Sequence, residues 1–145
     1  METSLIEKMD KSRYNLIKWL TIGWTIWFGT YIAKDWINNR LIFGFLFLIG
    51  FIGWILFTVN LIKYLRLGKK VNSDNKLKEA LNNEMHQFYG YKSFFWGFWT
   101  IVATISILFV ISLFYHQISA LIVCEITLFI GVLSTLIAGL IYNRD

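Results

Sequence analysis

Four long apolar runs fill most of this 145-residue chain. They cover Leu16–Ala33, Leu41–Ile62, Phe94–Tyr115 and Ile118–Tyr142. About 20 apolar residues in a helix, each adding about 1.5 Å, match a bilayer hydrocarbon core of about 30 Å. A soluble core of this size could not bury so much continuous apolar surface. We therefore predict an all-α, polytopic membrane protein with four transmembrane helices.

The composition agrees with a single membrane domain over residues 1–145. Hydrophobic residues make up 57% of the chain and charged residues 16%, against about 25% charged in soluble domains. The first run is too long and too aromatic for a cleavable signal peptide. The single cysteine, Cys124, cannot form an internal disulfide, which excludes thiol-exchange chemistry that needs several cysteines.

The basic residues predict the orientation. Twelve of the fourteen lysines and arginines lie before or at the entrance of the first run (Lys18 is its third residue), between the second and third runs, or at the C-terminus, and the other two are Lys34 and Arg40. The positive-inside rule then places both termini and the loop 63–93 in the cytoplasm, with short turns at 34–40 and 115–117 outside. The many isoleucine, asparagine and lysine residues favour a bacterial plasma membrane as the location.

Short outer turns predict two antiparallel helical hairpins, formed by the first and second helices and by the third and fourth. Membrane helices associate through close packing, so small residues indicate the faces that touch. The fourth run carries a stripe of such residues: Gly131, Ser134, Thr135, Ala138 and Gly139. This stripe predicts packing either within the bundle or at a subunit interface.

Glu125 is the outstanding polar residue, because it lies roughly 10 Å inside the fourth run from its outer end. A carboxylate at that depth costs a few kcal/mol unless it is protonated, paired or hydrated. Lys34, Arg40 and His116 lie on the same side and could pair with it. A proton or ion site, a structural hydrogen bond or ion pair, and a water-accessible side chain are the three interpretations.

The loop 63–93 predicts one cytoplasmic amphipathic helix between the second and third spans. A basic turn (Arg66, Lys69 and Lys70) comes before a helix-capping signal at 72–74. From residue 76 to 89 an apolar face follows at helical spacing, formed by Leu77, Ala80, Leu81, Met85 and Phe88. We expect this surface to rest on lipid headgroups or to dock a partner. The positive-inside rule already accounts for its charge, so nucleic acid is not indicated.

No motif for catalysis, metal binding or phosphate binding occurs in the sequence. We therefore expect no enzyme activity, no metal and no cofactor. The leading hypothesis is an accessory or regulatory subunit, or a homo-oligomer, that acts through helix contacts in the lipid bilayer. The alternative is a small proton- or cation-linked transporter or channel that uses Glu125.

Overall fold

The computed structural model describes residues 2–34, 37, 39–73, 84–114 and 119–143, and the side chains of all of these except 2–6, 40, 72 and 84–86. It contains four helices, which we number in chain order: α1 (Glu2–Ala33), α2 (Arg40–Ser73), α3 (Glu84–Phe114) and α4 (Ala120–Tyr142). The described residues contain no strand, so the all-helical prediction is confirmed.

Three of the helices are long and apolar enough to cross a membrane. The qualifying stretches are Leu41–Val71 in α2, Gln87–Phe114 in α3 and Ala120–Tyr142 in α4. The expected first span, Leu16–Ala33 in α1, falls short of the same hydropathy. Lys18 lowers the average most, and the tryptophans, threonines and glycines lower it further because they carry polar atoms or little apolar surface. The structure therefore agrees with a membrane location through three candidate spans.

On the side of the predicted short turns the helix boundaries match those of the apolar runs within two residues, and on the opposite side α1, α2 and α3 continue well past the runs while α4 ends at Tyr142 as predicted. α1 begins at Glu2 and not near Leu16, while α2 runs on to Ser73. The expected basic turn at 66–70 is helical, and Ser73 ends α2 where a helix start was expected. Hydropathy does not limit a helix, because lysine, glutamate and arginine are good helix formers and the chain has no proline. The part of the expected amphipathic helix at residues 76–83 lies outside the described residues.

The helices form an open row in the order α2, α1, α4, α3. α1 packs along α2, α3 packs along α4, and a smaller contact between α1 and α4 joins the two pairs. The other pairs of helices touch only marginally in the described part of the chain. Each of the two end helices therefore packs extensively on one side only.

The α1–α2 crossing depends on two glycines. A Cβ atom at Gly23 would lie 2.7 Å from the backbone nitrogen of Phe57, and one at Gly53 would lie 2.6 Å from the backbone nitrogen of Trp27. Real Cβ atoms do not come so close to backbone, so both positions require glycine for this approach. The two backbones touch here because neither helix has a side chain between them.

The α3–α4 crossing also uses glycines, but here side chains fill the space. Gly97 faces the Thr135 hydroxyl, and Gly131 faces the side chain of Ile101. Both side chains have rotatable bonds, so this crossing can adjust more easily than the one between α1 and α2.

Burial is concentrated away from the connections between paired helices. We call the end of the row that holds Ala33, Arg40, Phe114 and Ala120 the turn end, and the opposite end the terminal end. None of the described residues in 25–34, 41–49, 98–114 or 120–130 is buried. The buried residues all lie nearer the middle or the terminal end, among them Ile17, Leu20, Trp24, Asn60, Ser93 and Ala138. The row is therefore tight at the terminal end and open at the turn end.

Candidate functional site

The candidate site lies in the open half of the row, where α4 begins. The Ser119 side chain caps α4 by accepting a hydrogen bond from the backbone nitrogen of Ile122 at 3.3 Å. This cap fixes the start of the helix and places Glu125 about 9 Å along its axis. The carboxylate therefore lies within the apolar part of α4.

Aromatic side chains connect α4 to α1 one helical turn after Glu125, and we call this contact the aromatic seam. The indole nitrogen of Trp24 donates to the backbone oxygen of Phe129 at 3.4 Å. The Phe129 ring stacks on Phe28 with centroids 6.1 Å apart, and Phe28 in turn contacts Tyr31 at 5.6 Å. Residues four apart share a helix face, so Glu125 lies on the α1-facing side of α4, toward the turn end.

Glu125 is partly buried and makes no hydrogen bond or ion pair with any residue that the structure describes. Two residues further on, the Thr127 hydroxyl oxygen is buried and likewise lacks a hydrogen-bond partner in the described part of the chain. Unpaired polar groups in an apolar setting are costly, so two of them within three residues distinguish this segment.

Lys34 lies at the turn end of α1, where its ammonium group stands 3.8 Å from the centroid of the Tyr31 ring. It forms no ion pair with Glu125 in the structure. Of the other two predicted partners, His116 and the side chain of Arg40 lie outside the described residues. The structure thus places Glu125 and Lys34 at the same end of neighbouring helices without bringing them into contact.

A cleft between α1 and α2, which the sequence did not predict, opens beside Lys34. Its volume is about 380 Å³, and aromatic side chains form most of its wall. The lining residues are Trp27, Thr30, Tyr31, Lys34, Phe43, Leu46, Phe47, Gly50, Phe51 and Trp54. The recurrence of Phe43, Phe47, Phe51 and Trp54 on one helix face was the available signal. Among the described residues of this lining, Lys34 is the one that carries a charge.

The small-residue stripe of α4 lies against helices of the same chain. Gly131 and Thr135 face α3, while a Cβ at Gly139 would lie 3.8 Å from the Ser93 hydroxyl and 3.9 Å from Ile17. Ala138 is buried, and the Ser134 hydroxyl donates to the backbone oxygen of Gly131 at 2.9 Å. The stripe therefore packs on both neighbours of α4.

The expected headgroup or partner surface is described only in part. Arg66, Lys69 and Lys70 are exposed on the last turns of α2. Leu77, Leu81 and the side chain of Met85 lie outside the described residues, whereas Phe88 is exposed on α3.

A second aromatic cluster, which was also not predicted, gathers around Tyr142 at the terminal end. The Tyr89 ring stacks on Tyr142 at 5.8 Å, and the indole nitrogen of Trp96 donates to the Tyr142 hydroxyl at 2.8 Å. The ammonium group of Lys92 lies 4.9 Å from the centroid of Tyr142 and 5.4 Å from that of Phe88. Tyrosine and tryptophan with a polar tip on an apolar ring suit a membrane–water boundary. This cluster ties the start of α3 to the end of α4.

Within the described residues no group of three or more histidine, cysteine, aspartate or glutamate side chains could hold a metal ion. Cys124 is exposed on α4. Comparison of the chain with protein-family models, with curated proteins and with solved structures finds no match.

Proposed function

We propose that this chain is a non-enzymatic, four-span integral membrane protein that acts through lateral contacts in the bilayer. It would serve as an accessory or regulatory subunit of another membrane protein, or assemble with further copies of itself. The open row carries this proposal. Both end helices leave one long side uncovered, and the exposed residues of α2 outside the cleft include Phe45, Leu48, Ile52 and Ile55. A large apolar surface of this kind supplies contact area for a neighbouring helix.

The position of α1 supports counting it as the fourth span. It lies between α2 and α4, and its buried residues Ile17, Leu20 and Trp24 face these neighbours. Its threonines donate to the backbone of their own helix, as Thr21 does to Ile17 and Thr25 to Thr21. A central helix meets less lipid than an end helix, so lower hydropathy is tolerated there.

The proposed orientation places the turn end outside the cell and the terminal end in the cytoplasm. We expect a cysteine at Ile37 to react with a membrane-impermeant thiol reagent on intact cells, in a Cys124→Ser background. A cysteine at Ser73 should react only after the membrane is permeabilised. Labelling in the opposite order would overturn the orientation, and labelling of both positions on intact cells would contradict α2 as a membrane span.

Purification from native membranes in a mild detergent tests the lateral-contact function. We expect the chain to elute either with a second membrane protein in fixed stoichiometry or at a multiple of its 17.1 kDa mass. Mass measurement by light scattering, corrected for detergent, distinguishes the two cases. A stable monomer without a partner, obtained at several detergent concentrations, would count decisively against the proposal.

A second candidate function is proton- or cation-linked transport, and the environment of Glu125 favours it. The carboxylate has no partner among the described residues and lies in the half of the row that is not closely packed. Intramembrane carboxylates in such positions commonly bind a proton or a cation.

A further inference from the structure

We propose that the cleft between α1 and α2 binds an anionic phospholipid, with one acyl chain along the aromatic wall and the phosphate at Lys34. The proposal concerns a lipid ligand, and it holds whether or not the chain has a protein partner.

The interior of the cleft suits a hydrocarbon chain. The described lining includes two hydroxyl side chains, Thr30 and Tyr31, and the Thr30 hydroxyl donates to the backbone oxygens of Ile26 and Trp27 at 2.8 and 2.9 Å. Because the Thr30 hydroxyl already donates within its own helix, it does not require a polar group on the ligand. The volume of about 380 Å³ lies within the range of about 300–1,000 Å³ typical of small-molecule sites.

The depth of the cleft matches one leaflet. Along α2 its lining runs from Phe43 to Trp54. Eleven steps of about 1.5 Å give a depth of about 16 Å, roughly half of a hydrocarbon core of about 30 Å. An acyl chain entering beside Lys34 would therefore end near Trp54, close to the middle of the bilayer.

Lys34 supplies the charge selectivity. It is the described lining residue of α1 nearest the turn end, and its ammonium group stands over the Tyr31 ring. The ring covers one side of the ammonium group, whose three donors also permit contact with phosphate oxygens. A lysine at headgroup level attracts anionic lipid by about 1 kcal/mol. A headgroup with net negative charge is therefore preferred over a zwitterionic one.

The assignment of this lipid to the outer leaflet rests on the proposed orientation, but the site itself does not. A binding measurement in detergent keeps the two apart, because it has no inside or outside.

The test is a titration of delipidated protein with phospholipids brominated on the acyl chain, followed by tryptophan fluorescence. Trp27 and Trp54 line the cleft, so bromine atoms bound there quench them. We expect a phosphatidylglycerol to bind about fivefold more tightly than a phosphatidylcholine with the same chains. Lys34→Gln should remove this preference, whereas Lys69→Gln, which changes an exposed lysine at the terminal end, should retain it.

A phenylalanine pair tests the hydrocarbon part of the site. Phe47 and Phe45 are about equally exposed, at 66% and 69%, but only Phe47 lines the cleft. Phe47→Ala should weaken the binding of both lipids, and Phe45→Ala should change neither. Equal binding of the two lipids by the natural protein, or equal loss of preference in the two lysine variants, would overturn the proposal. Equal effects of Phe47→Ala and Phe45→Ala on lipid binding would also overturn it.

Discussion

Replacing Gly23 with alanine is expected to lower the free energy of unfolding by about 1–2 kcal/mol. The new methyl group would meet the backbone of Phe57 at 2.7–2.9 Å, and backbone cannot rotate away as a side chain can. Overpacking of this kind costs about 1–3 kcal/mol, and the better helix propensity of alanine returns up to about 1 kcal/mol. Gly53→Ala should act similarly, because its methyl group would meet the backbone nitrogen of Trp27 at 2.6 Å.

Each substitution has a matched control in the same helix. No atom lies within 4 Å of a Cβ built at Gly29 in α1 or at Gly44 in α2. Alanine at these two positions should leave stability unchanged or raise it slightly. The measurement is helix content by circular dichroism during titration of the mild-detergent protein with sodium dodecyl sulfate. If Gly23→Ala and Gly29→Ala unfold at the same midpoint, the close α1–α2 crossing does not exist in the protein.

Replacing Glu125 with glutamine is expected to abolish proton or cation flux if transport is the function. Glutamine keeps the size of the side chain and its capacity for hydrogen bonds, but it cannot bind and release a proton or neutralise a cation. The measurement is flux into proteoliposomes under an imposed ion gradient. Folding of the variant is checked by its elution profile and helix content, since a partly exposed position tolerates the change.

Glu7→Gln is the control, because Glu7 is an exposed carboxylate on the polar first part of α1. It should leave any flux unchanged. Absence of flux in the natural protein, measured with intact vesicles, would exclude transport and leave the lateral-contact function. Flux that persists in Glu125→Gln would show that the ion takes another route.

The apolar runs predicted the turn end of every helix well, but they predicted the terminal end only for α4, which ends at Tyr142. At the turn end the predicted and observed boundaries lie within two residues, because loss of apolar character coincides there with a short connection. At the terminal end α1 and α2 continue through sequences rich in lysine, asparagine and serine, where hydrogen bonding and helix propensity maintain the helix. Hydropathy measures transfer to lipid and carries no information on where a helix stops in water.

The order of the helices could not be predicted from the sequence. Small residues show where backbones can approach, but not which helix faces which. The sequence drew attention to the stripe on α4, while the closest backbone approach occurs at Gly23 and Gly53. The seam between α1 and α4 depends on Trp24 and Phe129, which are 105 residues apart, and no local pattern connects them.

The sequence predicted Glu125 as a candidate site residue, but it did not predict the side chains that surround the site. A carboxylate within an apolar run identifies Glu125 at once, because few other residues are so costly there. The aromatic cleft arises from two helices together, so its lining from Trp27 to Trp54 became visible only when α1 and α2 were placed side by side. The cluster around Tyr142 likewise needs the start of α3 and the end of α4.

The central place of α1 has a consequence for biosynthesis. α1 leaves the ribosome before the other three helices, yet the face that carries Trp24 and Phe28 meets Phe129 only after α4 has been translated. Until then, lipid or an insertion factor must cover Phe28, whereas Trp24 already contacts Phe57 of α2, with ring centroids 5.4 Å apart. The row is therefore completed in a single late step, and a chain interrupted before α4 would present an aromatic surface to the quality-control machinery of the membrane.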